Sequence, residues 1–231
     1  MEFLRLDSDG GNRFFRRNRF LLLKDIIEQT IADKKVCCIL DVGGLPNYWL
    51  SYGAELDWNR IKVFLLNLPN HAERFYPMLD VCFASRRPEL TSIAGDARDM
   101  KDYKDLSFDI VHSNSVIEHV GNWSDMAAMA SEVRRLAPRY FIQTPYFWFP
   151  IEPHARLPVF HWMPESWRYR IVLRRKCGFM AWASNTDVGT AMTAVQNATL
   201  LDRRQMQFLF PDAKIVSERF LGFTKSLIAV R

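Results

Sequence analysis

The stretch Ile39-Leu40-Asp41-Val42-Gly43-Gly44-Leu45-Pro46-Asn47-Tyr48-Trp49 constrains this chain more than any other. Residues 36–40 form an apolar run, the pattern of a strand buried on both faces of a parallel sheet. The run meets an acidic residue and two glycines, and a helix is expected to start near Pro46 or Asn47. Glycines at the carboxyl end of a strand let the backbone turn sharply and approach a ligand closely. In open α/β sheets, ligands bind just outside the carboxyl ends of the strands. The first strand is therefore expected to deliver a small-molecule site.

The rest of the chain repeats the same alternation. Residues 13–32 read as a helix, with Phe14, Phe15, Leu21, Leu22, Ile26 and Ile27 roughly on one side. Residues 36–42, 60–66, 90–94, 108–113 and 139–144 read as strands one to five, the third running into Gly95-Asp96 and the fifth stopped by Pro145. Ser124 is a candidate N-cap for a helix over 125–136. Strands alternating with helical patterns imply an α/β fold with a doubly wound, mostly parallel sheet. Residues 145–182 differ in composition, with Pro145, Pro150, Pro153, Pro158 and Pro164 among Trp148, Trp162, Trp167 and Trp182. A segment of this kind after strand five is expected to form a cap over the site. Beyond it, 200–210 reads as a helix, and 213–216 and 220–230 as an antiparallel strand pair closing the sheet.

With 231 residues, 48% of them hydrophobic, the chain can build a substantial core. It is expected to be a single domain: a cofactor-binding core over 36–144, the cap over 145–182, and the closing elements over 200–231. No run approaches the ~18 apolar residues of a membrane span, and residues 1–6 lack the apolar stretch of a secretory signal. Cys37, Cys38, Cys82 and Cys177 show no paired metal-ligand spacing. The first two, inside a strand, read as core thiols, and a reducing, cytoplasmic compartment fits them. A net charge of +5 is too modest to read as a nucleic-acid footprint.

Acceptor-bearing side chains recur at successive strand ends: Asp41, Asn67, Asp96 and Ser113-Asn114. A nucleoside lying across those ends needs acceptors for ribose hydroxyls and for the adenine amino group, and a glycine turn leaves it room. The ordered set carries more weight than any member alone.

Asp41-Val42-Gly43-Gly44, Gly95-Asp96-Ala97, and above all the string from Phe108 to Val120 (Phe-Asp-Ile-Val-His-Ser-Asn-Ser-Val-Ile-Glu-His-Val) resemble the class I S-adenosylmethionine-dependent methyltransferases, small-molecule branch. The resemblance covers roughly residues 36–144. It implies a seven-stranded Rossmann-like sheet and S-adenosyl-L-methionine as cofactor. Asp41, Gly43 and Gly44 would lie against the methionine part, Asn67 at the ribose, Asp96 at the adenine amino group with Ala97 beside the ring, and Asn114 near the transferred methyl. Two positions depart from the family pattern. Gly43-Gly44-Leu45-Pro46-Asn47 stands in place of Gly-x-Gly-x-Gly, and Asn67 stands where Asp or Glu is usual. Nicotinamide dehydrogenases want Gly-x-Gly-x-x-Gly and a later acidic residue, and both are missing. The Asn/Asp-Pro-Pro-aromatic motif of base amino methylation is also missing, so no nucleic-acid partner is expected.

Methyl transfer asks the protein mainly to align acceptor and sulfonium; an oxygen acceptor also needs a base or a metal. His154 in the cap and His119 after strand four, beside Glu118, are the candidate bases. Glu118 and His119 equally suit a loop held by hydrogen bonds. His112 inside strand four reads as structural, His71 as a surface residue, and His161 lies beside Trp162. Glu152 and His154 are two metal ligands without an evident third, so no metal is expected. The run Tyr146-Phe147-Trp148-Phe149 reads as cap core or as a platform for a sugar or lipid. Arg168, Arg170, Arg174, Arg175 and Lys176, like Arg13, Arg16, Arg17 and Arg19, read as solvated helix faces or as contacts to an anionic or membrane-surface acceptor. The resemblance is greatest to bacterial enzymes that modify glycans. O-methylation of a glycan or related small metabolite is the expected reaction, with the 2-hydroxyl of a fucosyl group on a lipo-chitooligosaccharide nodulation signal as the specific acceptor. A quinone or aromatic acceptor and a non-catalytic partner subunit are the alternatives.

Overall fold

The computed structural model describes residues 10–69, 89–180 and 187–231. His71, Cys82, Trp182 and the first residues of the chain lie outside them. Among the described residues, seven strands form one sheet in the order β3-β2-β1-β4-β5-β9-β8. They are β1 (Cys37–Val42), β2 (Ile61–Asn67), β3 (Glu89–Ala94), β4 (Ile110–Asn114), β5 (Arg139–Pro145), β8 (Lys214–Phe220) and β9 (Phe223–Val230). A separate hairpin pairs β6 (Ile151–Glu152) with β7 (Leu157–Pro158). The pairs β1·β2 and β2·β3 are parallel and β8·β9 is antiparallel, the mixed, mostly parallel sheet expected of a Rossmann-like methyltransferase fold.

The chain divides into two compact units. The first comprises 1–112 with 133–141. Its core is the apolar run of β1 and β2, in which Ile39, Leu40, Val63, Leu65 and Leu66 are buried. Helix α1 (Gly10–Asp33) buries Phe15, Phe20, Leu23, Ile26, Ile27 and Thr30, while Phe14, Leu21 and Leu22 are exposed. The expected stripe is thus displaced by part of a turn. The positions 15, 19, 23, 26 and 30 follow the helical period better than the pairs 14–15 and 21–22 do. Helix α2 (Pro46–Tyr52) starts on Pro46, whose missing N–H costs nothing at a helix start.

The second unit comprises 113–132 with 142–231. Helix α3 (Trp123–Leu136), which crosses the division, begins before Ser124. Its cap is Asn122, whose Oδ1 accepts from the N–H groups of Ser124 and Asp125; the capping oxygen therefore belongs to Asn122 and not to Ser124. The segment after β5 holds the β6·β7 hairpin, a 3-10 turn over Phe160–Trp162 and helix α4 (Glu165–Arg174). Val172 on α4 is buried with Ala191 and Val195 of α5 (Val188–Gln196), a helix the sequence reading did not anticipate. Cys177, Ala155 and Phe160 complete that small core. The last helix, α6 (Arg203–Leu209), is shorter than expected because Asp202 caps it in a reciprocal arrangement with Gln205.

Candidate functional site

In the first unit the turn after β1 is built around a buried carboxylate. Asp41 Oδ2 accepts from Trp49 Nε1 at 2.7 Å, and Oδ1 lies 2.6 Å from His112 Nδ1. Asp41, Trp49 and His112 are all buried. Tyr48 stacks on the His112 ring at 5.2 Å, and its phenol is raised by burial first and by the Asp41 charge second. A charge taken out of water needs such partners, and here Trp49 and His112 supply them. Gly43 has φ +69°, the left-handed region where glycine is at ease, and its N–H donates to Leu66 O at 2.8 Å. A Cβ on Gly44 would stand 2.1 Å from Asp41 Oδ2. The space that Gly44 leaves is therefore filled by the Asp41 carboxyl group.

Asn67 closes the same turn from β2. Its Nδ2 donates to Gly44 O at 3.0 Å. A carboxylate at this position has no proton to give, so the amide of Asn67 has a structural purpose here. Asp96, after β3, is clamped by its neighbour. Arg98 Nε lies 3.0 Å from both Asp96 oxygens, and the Arg98 backbone N–H donates to Oδ1 at 2.9 Å. That pairing holds the Asp96 carboxyl below the ordinary carboxylate range, against the opposing effect of burial. Ala97 follows half-buried. Gly95 N–H donates to Asn67 O at 2.9 Å, tying the ends of β2 and β3 together.

Asn114 ends β4 in the second unit, half-buried, and Ser115 after it has φ +58°. A serine held in the left-handed region stores strain of ~1–3 kcal/mol, a feature concentrated at functional sites. Ser115 is fixed there by Gln143, through its N–H at 3.0 Å and its Oγ at 2.9 Å.

The second unit also brings His119 and His154 together. Their Nε2 atoms lie 3.1 Å apart and the rings meet edge to face. His154 Nδ1 is 2.7 Å from Glu152 Oε1, and the other Glu152 oxygen accepts from the Ala155 N–H. His119 Nδ1 is 2.8 Å from Asn197 O, with the Asn197 amide nitrogen farther away at 3.4 Å. Beside them Glu118 is fully buried. Its Oε2 accepts from Thr144 Oγ1 at 3.0 Å, and its Oε1 has no hydrogen-bond partner among the described residues. Burial raises the Glu118 carboxyl above its ordinary value, opposed by the histidines, its own backbone and Thr144. Burial lowers the His154 imidazole, but the hydrogen bond and charge of Glu152, with Glu118, outweigh it and leave His154 raised. Backbone geometry sets the His154 turn. Phe179 N–H donates to His154 O at 2.7 Å, and Gly178, with φ +49°, passes so close that a Cβ would stand 2.2 Å from that oxygen.

Other candidates have bland surroundings. His161 Nε2 donates to Phe147 O at 2.6 Å, and burial lowers its imidazole. Trp148 is exposed beside Trp162, ring centres 6.0 Å apart. His112 proves to be the partner of Asp41, a pairing that needs the fold to reveal it. Glu118, Thr144 and Asn197 were not singled out as site residues. Glu118 has one local signal, its place beside His119; Thr144 and Asn197 have none.

Residues 73–139 match the model of a family described as a methyltransferase domain, of which 73–88 lie outside the described residues. A comparison with curated proteins gives no match. Among solved structures, the CurJ carbon methyltransferase is similar at TM-score 0.50 and 11% identity, over 85% of this chain and 48% of its own. The chain thus spans about half of CurJ. A SAM-dependent methyltransferase of Methanosarcina mazei gives TM-score 0.51 at 14% identity, over 85% of this chain and 92% of that one. A protein of Rhodobacter sphaeroides that carries the name of the Zn-dependent alcohol dehydrogenases gives 0.57 at 10% identity, over 89% and 86%. At such identities the likeness is one of fold, whatever chemistry a name carries.

Proposed function

We propose that this chain, whose residues 73–139 match a methyltransferase-domain model and whose sheet has the strand order of the Rossmann-like methyltransferase fold, moves a methyl group from S-adenosylmethionine to a hydroxyl oxygen of a glycan or related small metabolite. The observation that carries the choice of oxygen is the Glu152–His154–His119 arrangement, with Nδ1 of His154 2.7 Å from a carboxylate and Nε2 directed at a second imidazole. A hydroxyl must lose its proton as it attacks, and an imidazole oriented by a carboxylate is built to take one. In the reaction the acceptor oxygen bonds to the methyl carbon. S-adenosylmethionine would supply the methyl carbon and leave as S-adenosylhomocysteine, and the His154–His119 pair would take the hydroxyl proton. Asp41, Gly43, Gly44, Asn67, Asp96, Ala97 and Asn114 are the residues assigned to the cofactor. Exposed Trp148 and Trp162 suit the apolar face of a sugar ring, and a fucosylated lipo-chitooligosaccharide is the first acceptor to offer.

The test is calorimetric titration with S-adenosylhomocysteine, followed by mass spectrometry of acceptors incubated with S-adenosylmethionine. Saturable binding, weakened about tenfold or more in Asp96→Ala, and a methyl ether on the sugar are expected. Absence of binding at millimolar ligand would leave a non-catalytic partner subunit. Methylation of quinones or aromatic metabolites alone would overturn the glycan assignment.

A further inference from the structure

We propose that Glu118, His119 and His154 form a binding site for a divalent transition-metal ion of the zinc type. One ring nitrogen of each histidine and a Glu118 carboxylate oxygen lie within 4.8 Å of one another, all inside the second unit.

The tautomers carry the argument. His154 Nδ1 faces a carboxylate and His119 Nδ1 faces a peptide carbonyl, so each Nδ1 carries the hydrogen. The two Nε2 atoms therefore present lone pairs to one another at 3.1 Å, and something positive must lie between them. A shared proton would serve the two nitrogens but would give nothing to Glu118 Oε1, which is buried and has no partner among the described residues. A cation held by one atom of each residue would answer both needs. Two nitrogens bound to a tetrahedral zinc stand about 3.3 Å apart, close to the separation already present.

The surroundings fit a metal in further respects. Each ligand is held from behind: His154 by Glu152, His119 by Asn197 O, and Glu118 by Thr144. Such outer partners fix the ring orientation and raise ligand basicity. Two imidazoles and one carboxylate select zinc, cobalt, iron or manganese over calcium and magnesium, which prefer all-oxygen shells. Three protein ligands leave a coordination position open, as in catalytic sites. Neither histidine is buried, so an ion has a way in. The use of the ion rests on the proposed methyl transfer, in which it would take over from the imidazoles: it would bind the acceptor hydroxyl and lower its pKa, and the proton would leave to solvent, because both Nε2 atoms are then ligands. The binding itself does not depend on that reading.

The test uses the full chain, freed of metal by chelator dialysis and titrated with cobalt(II) chloride in the absence of cofactor and acceptor. The expected result is a stoichiometric visible absorption of low-coordinate cobalt, displaced by zinc. It should be weakened about a hundredfold in His119→Ala and His154→Ala, and about tenfold or more in Glu118→Gln, with circular dichroism showing each variant folded. No cobalt absorption in the folded wild type, or affinity unchanged in both folded histidine variants, would overturn the proposal. A protein that binds cobalt through these residues and methylates nothing keeps the metal site and loses the proposed function. One that methylates a sugar and binds no cobalt does the reverse.

Discussion

His119 and His154, 35 residues apart in the chain, face each other through their Nε2 atoms at 3.1 Å. Replacement of either by alanine should lower turnover by about 10²–10⁴-fold, the usual range for a lost proton acceptor. Affinity for S-adenosylhomocysteine should stay within about twofold, since these side chains are assigned to the acceptor and not the cofactor. Steady-state kinetics beside calorimetry separates the two. Equal losses in both quantities would place the pair in cofactor binding instead.

Gly44→Ala should be harmful for an internal reason. The added methyl meets the Asp41 carboxyl, which is locked by Trp49 and His112 and cannot swing away. A loss of about 2–4 kcal/mol is expected from overpacking a buried polar network. Denaturant titration measures it, and the cofactor affinity should fall with it.

Asn67→Asp introduces the acidic residue that the resembled methyltransferases carry at this strand end, and should nonetheless weaken the protein. It removes the donor to Gly44 O and sets a carboxylate against a carbonyl. A cost of about 1–3 kcal/mol follows from the lost bond and the repulsion. A gain in stability or in cofactor affinity on this substitution would show that the amide does not hold the turn.

Burial pushes the Cys37 thiol up from 9.0 to about 12. The native state therefore keeps a proton that the unfolded chain releases above the ordinary thiol value. This contribution to stability is complete below that value and is lost as pH rises toward the folded one, by about 1.4 kcal/mol per pH unit. Tyr48 acts in the same direction at still higher pH. Urea titrations between pH 8 and 10.5 should show the decline, and Cys37→Ala should flatten its first part.

Gly178→Ala should disturb the Glu118–His119–His154 cluster from outside. Its backbone is left-handed and its missing side chain makes room for His154 O. Strain and clash together should cost about 2 kcal/mol or more. Turnover should fall further than cofactor binding, because the turn that carries His154 shifts and β1 does not.

The parts of the molecule that follow from local pattern were legible in the chain. The apolar run into Asp41-Gly43-Gly44, the strands at 61–67 and 139–145 and the antiparallel ending are local features, and periodicity reports them. The displaced stripe on α1 was not legible, because adjacent apolar pairs such as Leu21-Leu22 fit two faces equally until a sheet chooses one. The α3 cap was misplaced by two residues because Asn122 and Ser124 both suit the position, and only the hydrogen bonds decide. The pairing of Asp41 with His112 spans 71 residues, and that of Glu118 with Thr144 spans 26. No local rule finds such partners; a buried charge reveals them only once its surroundings are known.

The tether of Asp41 to Trp49 and His112 also bears on how this protein can change. The turn after β1 takes its shape from a carboxylate whose partners sit on α2 and on β4. It is therefore not an interchangeable cassette. A glycine turn transplanted from a relative would arrive without the indole and imidazole that this one leans on, or would strand them in the core with their polar atoms unmatched. Positions 41, 44, 49 and 112 are free to drift only as a group, and a designer who wishes to retune this turn must begin by rebuilding the middle of the sheet.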